Sequence, residues 1–314
     1  MSVLVVKPGL QTTIQSRPRT GSRHLGVPAS GAADPLSLAL ANKLAGNAWD
    51  APALETTLLG PTLYFDQACT VAVTGAQVSL SLNGEAVDRH HLIEVSAGDE
   101  LVVGTAELGA RNYIAFTGGL QADNVLGSAS TYLAAGFGGC QGRALLEDDR
   151  LVINAVGPVA APLATLPEFR PPMSSSWAVR ACACLETDQL VDAGESLFNT
   201  NWTVGRRADR MGMQLEGPKL EISSDGRMPS SAVFPGTVQC PENGAPFILS
   251  VDGGTVGGYP RVAQIARLDR HLLGQLRPGD HIRLSLHEPD AALEELHAKL
   301  DYWRAWLPDI DSIL

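Results

Sequence analysis

Apolar and polar residues alternate with a period of two along much of the chain, the pattern of half-buried strands. "TVAVTGAQVSLSLNGEAV" (70–87) holds two such runs joined at Asn83-Gly84, a dipeptide that favours a tight hairpin turn. "IEVSAGDELVVG" (93–104) repeats the design around Ala97-Gly98-Asp99, and "ARNYIAFTGGL" (110–120) is a further strand ending at Gly118-Gly119. Helical periods are few. In "DPLSLALANKLAGN" (34–47) Asp34 is an N-cap, Pro35 a first helical residue and Gly46-Asn47 a stop, with Leu36, Leu40 and Leu44 as one apolar stripe. A second helix is expected from Asp290 to about Trp306, where Leu293, Leu296 and Leu300 follow helical spacing.

The stretch "VGPVAAPLATLPEFRPPMSSS" (156–176) carries five prolines and no sustained period, so it reads as a linker. It divides the chain into expected domains at 1–160 and 175–314. The halves look related: "LLGPTLYF" (58–65) is similar to "LEGPKLEI" (215–222), and "AGDELVV" (97–103) to "RPGDHIRL" (277–284). Duplication of one β-barrel-like unit accounts for both matches. Length, 314 residues, fits two domains, and the 32 glycines and 20 prolines suit many tight turns.

Charge and cysteine content narrow the partners. A net charge of −11 argues against nucleic acid or an anionic membrane surface. No early apolar run follows a basic segment, so neither a signal peptide nor a transmembrane span is expected. Five cysteines at irregular spacing argue against a disulfide framework and for a cytoplasmic location. Cys182 and Cys184 share a strand face and read as small core residues; no metal site is expected. His90-His91 reads as a surface pair.

Phosphate-loop, zinc-protease and nucleophile-elbow signatures are absent. The candidate chemistry lies in small-residue loops. "GVPASGAADP" (26–35) places Pro28, Ser30 and Gly31 before the capped helix; Pro28 restricts the backbone, and the N–H groups of Ser30 to Ala32 are expected to face an anionic or amide oxygen. "LGSASTYLAAGFGGCQGR" (126–143) and "VDGGTVGGYPR" (251–261) each combine glycines with hydroxyls and an arginine. Ser30, Arg111, Ser130 and Arg210 are the candidate catalytic groups. Arg23, Gly31, Thr131, Gly138, Asp252, Thr255, Tyr259 and Arg261 are the candidate substrate contacts.

These same residues carry a family resemblance. "PGLQTTIQ" (8–15), "HLGVPASGAADPLSLALANKLAGN" (24–47), "APALETTL" (51–58), "VTGA" (73–76), "GSASTYLAAGFGGCQGR" (127–143), "DRMGMQLEGP" (209–218), "FPGTVQCP" (234–241), "GGYPRVAQI" (257–265) and "LRPGD" (276–280) occur in order over about nine-tenths of the chain. Together they resemble the family of the 5-oxoprolinase C subunit and the biotin-dependent carboxyltransferase-like proteins, also called allophanate hydrolase subunit 2 or urea amidolyase-related. The resemblance implies a mainly β chain of two cyclophilin-like β-barrel domains with a few short helices. It implies partners like the B and A subunits of 5-oxoprolinase and the opening of 5-oxoproline to glutamate, with ATP acting through the complex. Its alternatives are a carboxyltransferase component acting on urea or a related amide, for which biotin would come from another chain, and a non-catalytic regulator paired with a kinase-inhibitor protein. The sequence departs from the family pattern at Ser16 and Pro18, at Gly253-Gly254, at Arg261 and at "PSSAV" (229–233), all in expected cleft loops.

Overall fold

The computed structural model describes residues 2–154, 161–223 and 228–314. The start of the proline-rich stretch, 156–160, lies outside the described residues. The chain forms two compact units. The first comprises Met1–Arg19, Ser30–Met173 and Trp303–Ile313, and the second Thr20–Ala29, Ser174–Tyr302 and Leu314. Both are built mainly of β-structure, as the alternating pattern requires.

The first unit contains strands β1 (Ser2–Lys7), β2 (Gln11–Gln15), β3 (Ala53–Thr57), β4 (Thr62–Phe65), β5 (Cys69–Leu82), β6 (Glu85–Val87), β7 (Leu92–Val95), β8 (Glu100–Phe116) and β9 (Arg150–Val152). They form one curled sheet in the order β2-β3-β8-β4-β1-β9, with β5 pairing β6, β7 and β8. The expected hairpin is present: Leu82 pairs with Glu85, and Asn83 and Gly84 both have positive φ, 53° and 85°. β5 and β8 are long because register shifts between Gly75 and Leu80 let them bend and continue pairing. Alternate residues from Val3, Phe65, Val71, Val73, Ile114 and Phe116 fill the inner face.

Helix α1 (Pro35–Leu44) starts and stops as the sequence requires. Asp34 Oδ1 accepts the Ser37 N–H at 3.1 Å, and Asn47 N–H donates to the Asn42 carbonyl at 2.8 Å. The expected single stripe is too narrow, however. Leu36, Ser37, Leu38, Ala39, Leu40, Ala41, Asn42 and Leu44 are all buried, so α1 is a core helix enclosed on nearly every side. His90 is likewise no surface residue. It is 3% exposed, its backbone is left-handed, and its N–H donates to the Val73 carbonyl.

In the second unit β10 (Ser176–Ala183), β11 (Asn201–Ala208), β12 (Gly212–Glu216), β14 (Thr237–Gln239), β15 (Phe247–Leu249), β17 (Arg261–Ile265) and β18 (His281–Leu286) close a barrel in the order β10-β17-β14-β15-β12-β11-β18. β13 (Ser231–Ala232) and β16 (Val256–Gly257) form a separate two-stranded ribbon. A short helix α2 (Glu195–Asn199) precedes β11. Trp202 is fully buried in the barrel and its indole donates to the Leu197 carbonyl at 2.9 Å. Cys182 and Cys184, expected in the core, are half-buried on and just after β10.

Two similar segments make the same turn. The Ser96 N–H donates to Asp99 Oδ2 and the Arg277 N–H to Asp280 Oδ2, with Gly98 and Gly279 both at φ 93°. Helix α3 (Pro289–Arg304) is close to the expected range, followed by α4 (Ile310–Ile313). Its buried face runs through Ala292, Leu296, Leu300 and Trp303, whereas Leu293 is 50% exposed and does not belong to the stripe. No helix among the described residues is long and apolar enough to cross a membrane.

Candidate functional site

In the first unit the loop ahead of α1 is fixed from three directions. Ser30 has φ 52° and Gly31 φ 89°, two successive left-handed residues. A Cβ on Gly31 would stand 3.0 Å from the Pro18 Cα and N, so glycine is favoured by the torsion and by the close approach. Ala32 N–H donates to the Ser16 carbonyl at 3.2 Å, Ala33 N–H to Glu55 Oε2 at 2.9 Å, and Asp34 N–H to the Tyr113 hydroxyl at 2.8 Å. The Ala32 N–H, expected to face a substrate oxygen, is therefore spent within the fold.

Glu55, on β3, is the hub of this arrangement and is 1% exposed. Besides Ala33 it accepts the Tyr113 hydroxyl at 2.7 Å, and Arg111 Nε lies 3.5 Å from its Oε1. Glu55 and Tyr113 are cross-strand partners on β3 and β8, which explains their meeting. Burial, reinforced by the Glu55 charge, raises the Tyr113 phenol well above its usual value, so it remains a donor. Arg111 is accordingly ion-paired within the core.

Ser130, Thr131 and Gly138 sit on the other side of the same loop. Ser130 Oγ accepts the Ser16 N–H at 3.0 Å, and the Ser16 carbonyl is the group that receives Ala32 N–H. Thr131 Oγ1 donates to the Ile14 carbonyl at 3.0 Å. Gly138 lies against Ser130: a Cβ there would overlap the Ser130 carbonyl. The fully buried Arg19 ties the cluster together, donating to the Val125 and Ser130 carbonyls and lying over the Phe137 ring at 4.9 Å. The structure thus brings Ser30, Gly31, Arg111 and Ser130 around one loop, through Glu55 on one side and Ser16 on the other. Of these, the Ser30 hydroxyl is buried with no hydrogen-bond partner among the described residues. A buried, unspent hydroxyl and a left-handed non-glycine backbone are each costly, and Ser30 combines them.

The remaining candidates belong to the second unit. Arg210 and Asp252, each 4% exposed at the side chain, form a two-pronged ion pair, Nε to Oδ2 at 2.7 Å and Nη2 to Oδ1 at 3.1 Å. Arg261 grips Glu186 in the same way at 2.8 and 2.6 Å and donates to the Ala232 carbonyl at 3.1 Å. That bond raises the Arg261 guanidinium and lowers the Glu186 carboxyl from their ordinary values. Arg23 donates to the Val233 carbonyl and lies over the Phe234 ring at 5.0 Å. Thr255 accepts Val233 N–H through its carbonyl, and Tyr259 is 47% exposed. Arg261, Glu186, Phe234, Thr237, Gln264 and Cys184 line an open cavity of about 470 Å³.

Glu55, Tyr113 and Glu186 are the residues that sequence reasoning missed; Ser16 stands out only as a departure from the family pattern. Glu55 stands inside the quoted block "APALETTL", and a lone acid in an otherwise apolar-and-threonine strand was the available signal.

A curled sheet and a closed barrel, each with small-residue loops and a buried arginine–carboxylate pair, define a class of protein, and known proteins supply its name. Residues 25–286 match the model of the carboxyltransferase domain, subdomain A and B, and the chain belongs to that family. It is 34% identical over 304 residues to the C subunit of 5-oxoprolinase from Escherichia coli strain K12, covering 96% of this chain and 95% of that protein. It is 32% identical over 302 residues to the urea amidolyase of Lachancea kluyveri, of which the match covers 16%. The crystal structure of Kluyveromyces lactis urea amidolyase superimposes with a TM-score of 0.89 at 31% identity, over the whole of this chain and 20% of that one.

Proposed function

We propose that this chain is the C subunit of an ATP-dependent 5-oxoprolinase complex, a cytoplasmic assembly that opens 5-oxo-L-proline to L-glutamate. The observation that carries this reading is the end-to-end match, at 34% identity, with a protein of that name. The site supports it. Ring opening of a lactam places negative charge on the amide oxygen, and a fixed donor in a water-excluded setting stabilises that charge most. The Ser30 hydroxyl, in a loop held from both sides, is the donor assigned here. The hydroxyl is closed to solvent in the single chain, which agrees with a protein that works only with its A-like and B-like partners. Arg111 and Ser130 then act by shaping the loop, and Arg210 by holding Asp252 within the second unit.

The four candidate arginines do not fit a triphosphate. Arg111, Arg210 and Arg261 each face a carboxylate, and Arg23 a carbonyl and a ring. ATP is therefore assigned to the partner proteins.

A carboxyltransferase role on urea or a related amide is the second reading, favoured by the fold match to urea amidolyase. Biotin would then arrive on another chain. Co-expression with the A-like and B-like proteins separates the two readings. The first expects 5-oxoproline-dependent ATP hydrolysis that needs this chain. ATP hydrolysis dependent on urea, bicarbonate and a biotinylated partner, without response to 5-oxoproline, contradicts it.

A further inference from the structure

We infer that Glu55 and Tyr113 are positioning residues that hold the Ser30 loop in its working shape. This rests on the proposed reading that the Ser30 loop meets the substrate. Both side chains are buried, at 1% and 0% exposure, and their polar atoms are already engaged within the fold. Their bonds run to the loop backbone. Glu55 receives Ala33 N–H and the Tyr113 hydroxyl, and the Tyr113 hydroxyl receives Asp34 N–H.

The chain of contacts is short. Ala33 and Asp34 are three and four residues beyond Ser30, and the intervening Gly31 runs so close to Pro18 that a Cβ on it would stand 3.0 Å away. Ser30 is left-handed, a torsion that a serine does not keep without outside support. Asp34 is also held from the helix side by Ser37 N–H at 3.1 Å and Ser37 Oγ at 2.5 Å, and Ser37 O accepts the Thr74 hydroxyl at 2.6 Å. The helix end is therefore fixed independently of Tyr113. Loss of the phenol oxygen should move the 30–33 segment rather than unwind α1. Arg111 enters as the counter-charge that lets Glu55 remain a buried acceptor.

Tyr113→Phe removes one hydroxyl at constant shape; Glu55→Gln removes the charge at nearly constant volume. Both are assayed in the co-expressed complex by 5-oxoproline-dependent ATP hydrolysis, alone and combined with Ser30→Ala, with melting temperature and partner co-purification measured alongside. The expected result is a fall of about 10²-fold in kcat for Tyr113→Phe with KM little changed, the scale of a misplaced reacting group. In the Ser30→Ala background the same substitution should cost no more than about twofold further, because the group being positioned is gone. If the two effects multiply in full, or if activity falls only in step with folded complex, the positioning role is overturned. If Ser30→Ala alone retains full activity, the substrate role of the loop fails, and this inference with it.

Discussion

Removing the Asp252 carboxylate leaves the Arg210 guanidinium charged at 4% exposure with its two-pronged partner gone. Arginine does not lose its proton to escape this, so the cost is that of breaking a buried, two-pronged ion pair from one side, about 3–5 kcal/mol. Asp252 is also backbone-linked, its N–H donating to the Arg210 carbonyl at 2.8 Å, so the loop 250–254 cannot easily swing the arginine into water. At roughly 2–4 °C per kcal/mol for a domain of this size, Asp252→Asn should lower the melting transition of the barrel by about 6–20 °C. Thermal unfolding followed by circular dichroism reads this directly. The paired replacement Arg210→Met with Asp252→Leu removes both charges and should recover most of the loss. It also separates two roles for Arg210: as a structural arginine it returns activity to the complex in the double variant, whereas as a substrate contact it does not. A loss below about 1 kcal/mol for Asp252→Asn, or a double variant less stable than either single one, would refute the reasoning.

Three further outcomes follow from the geometry. Gly31→Ala should destabilise the first unit by about 1–2 kcal/mol, since alanine must adopt φ 89° with its Cβ 3.0 Å from Pro18; denaturant titration measures it. Burial, with Arg89 next, holds His90 down to about 3, and burial with Lys299 holds His271 well below its usual value. Both are neutral when folded and bind protons when unfolded, so each contributes stability that is complete above about pH 6.5 and falls as pH drops; for His90 the fall continues toward pH 3 at about 1.4 kcal/mol per pH unit, and His90→Gln should flatten that slope in denaturant melts. The purified chain alone should show no 5-oxoproline-dependent ATP hydrolysis, and turnover by the lone chain would contradict the assignment of ATP to its partners.

Local chemistry made much of the fold legible. Asp34-Pro35 and Gly46-Asn47 bound α1 because caps act within a turn of the helix end, and Asn83-Gly84 sets its hairpin because only two residues decide the turn. What depends on distant partners was not legible. The exposure of Leu293 and the all-round burial of α1 follow from what packs on each helix, which spacing alone does not encode. The site shows the same division. Ser30, Gly31 and Ser130 stood out as small and polar residues in glycine-rich loops. Glu55 and Tyr113 did not, because their meeting requires β3 and β8 to pair in register across a long stretch of intervening chain. The arginines were visible as charges, yet of their carboxylate partners only Asp252 stood among the candidates; Glu55 and Glu186 meet their arginines through tertiary contacts that spacing does not encode.

The central claim, that this chain is required for lactam opening, is tested most directly by product formation from labelled 5-oxo-L-proline. The A-like and B-like proteins are incubated with ATP, with and without this chain. Labelled glutamate, formed with ATP hydrolysis, is expected only when all three proteins are present. Equal glutamate formation without this chain, or none with the full set assembled, would contradict the claim.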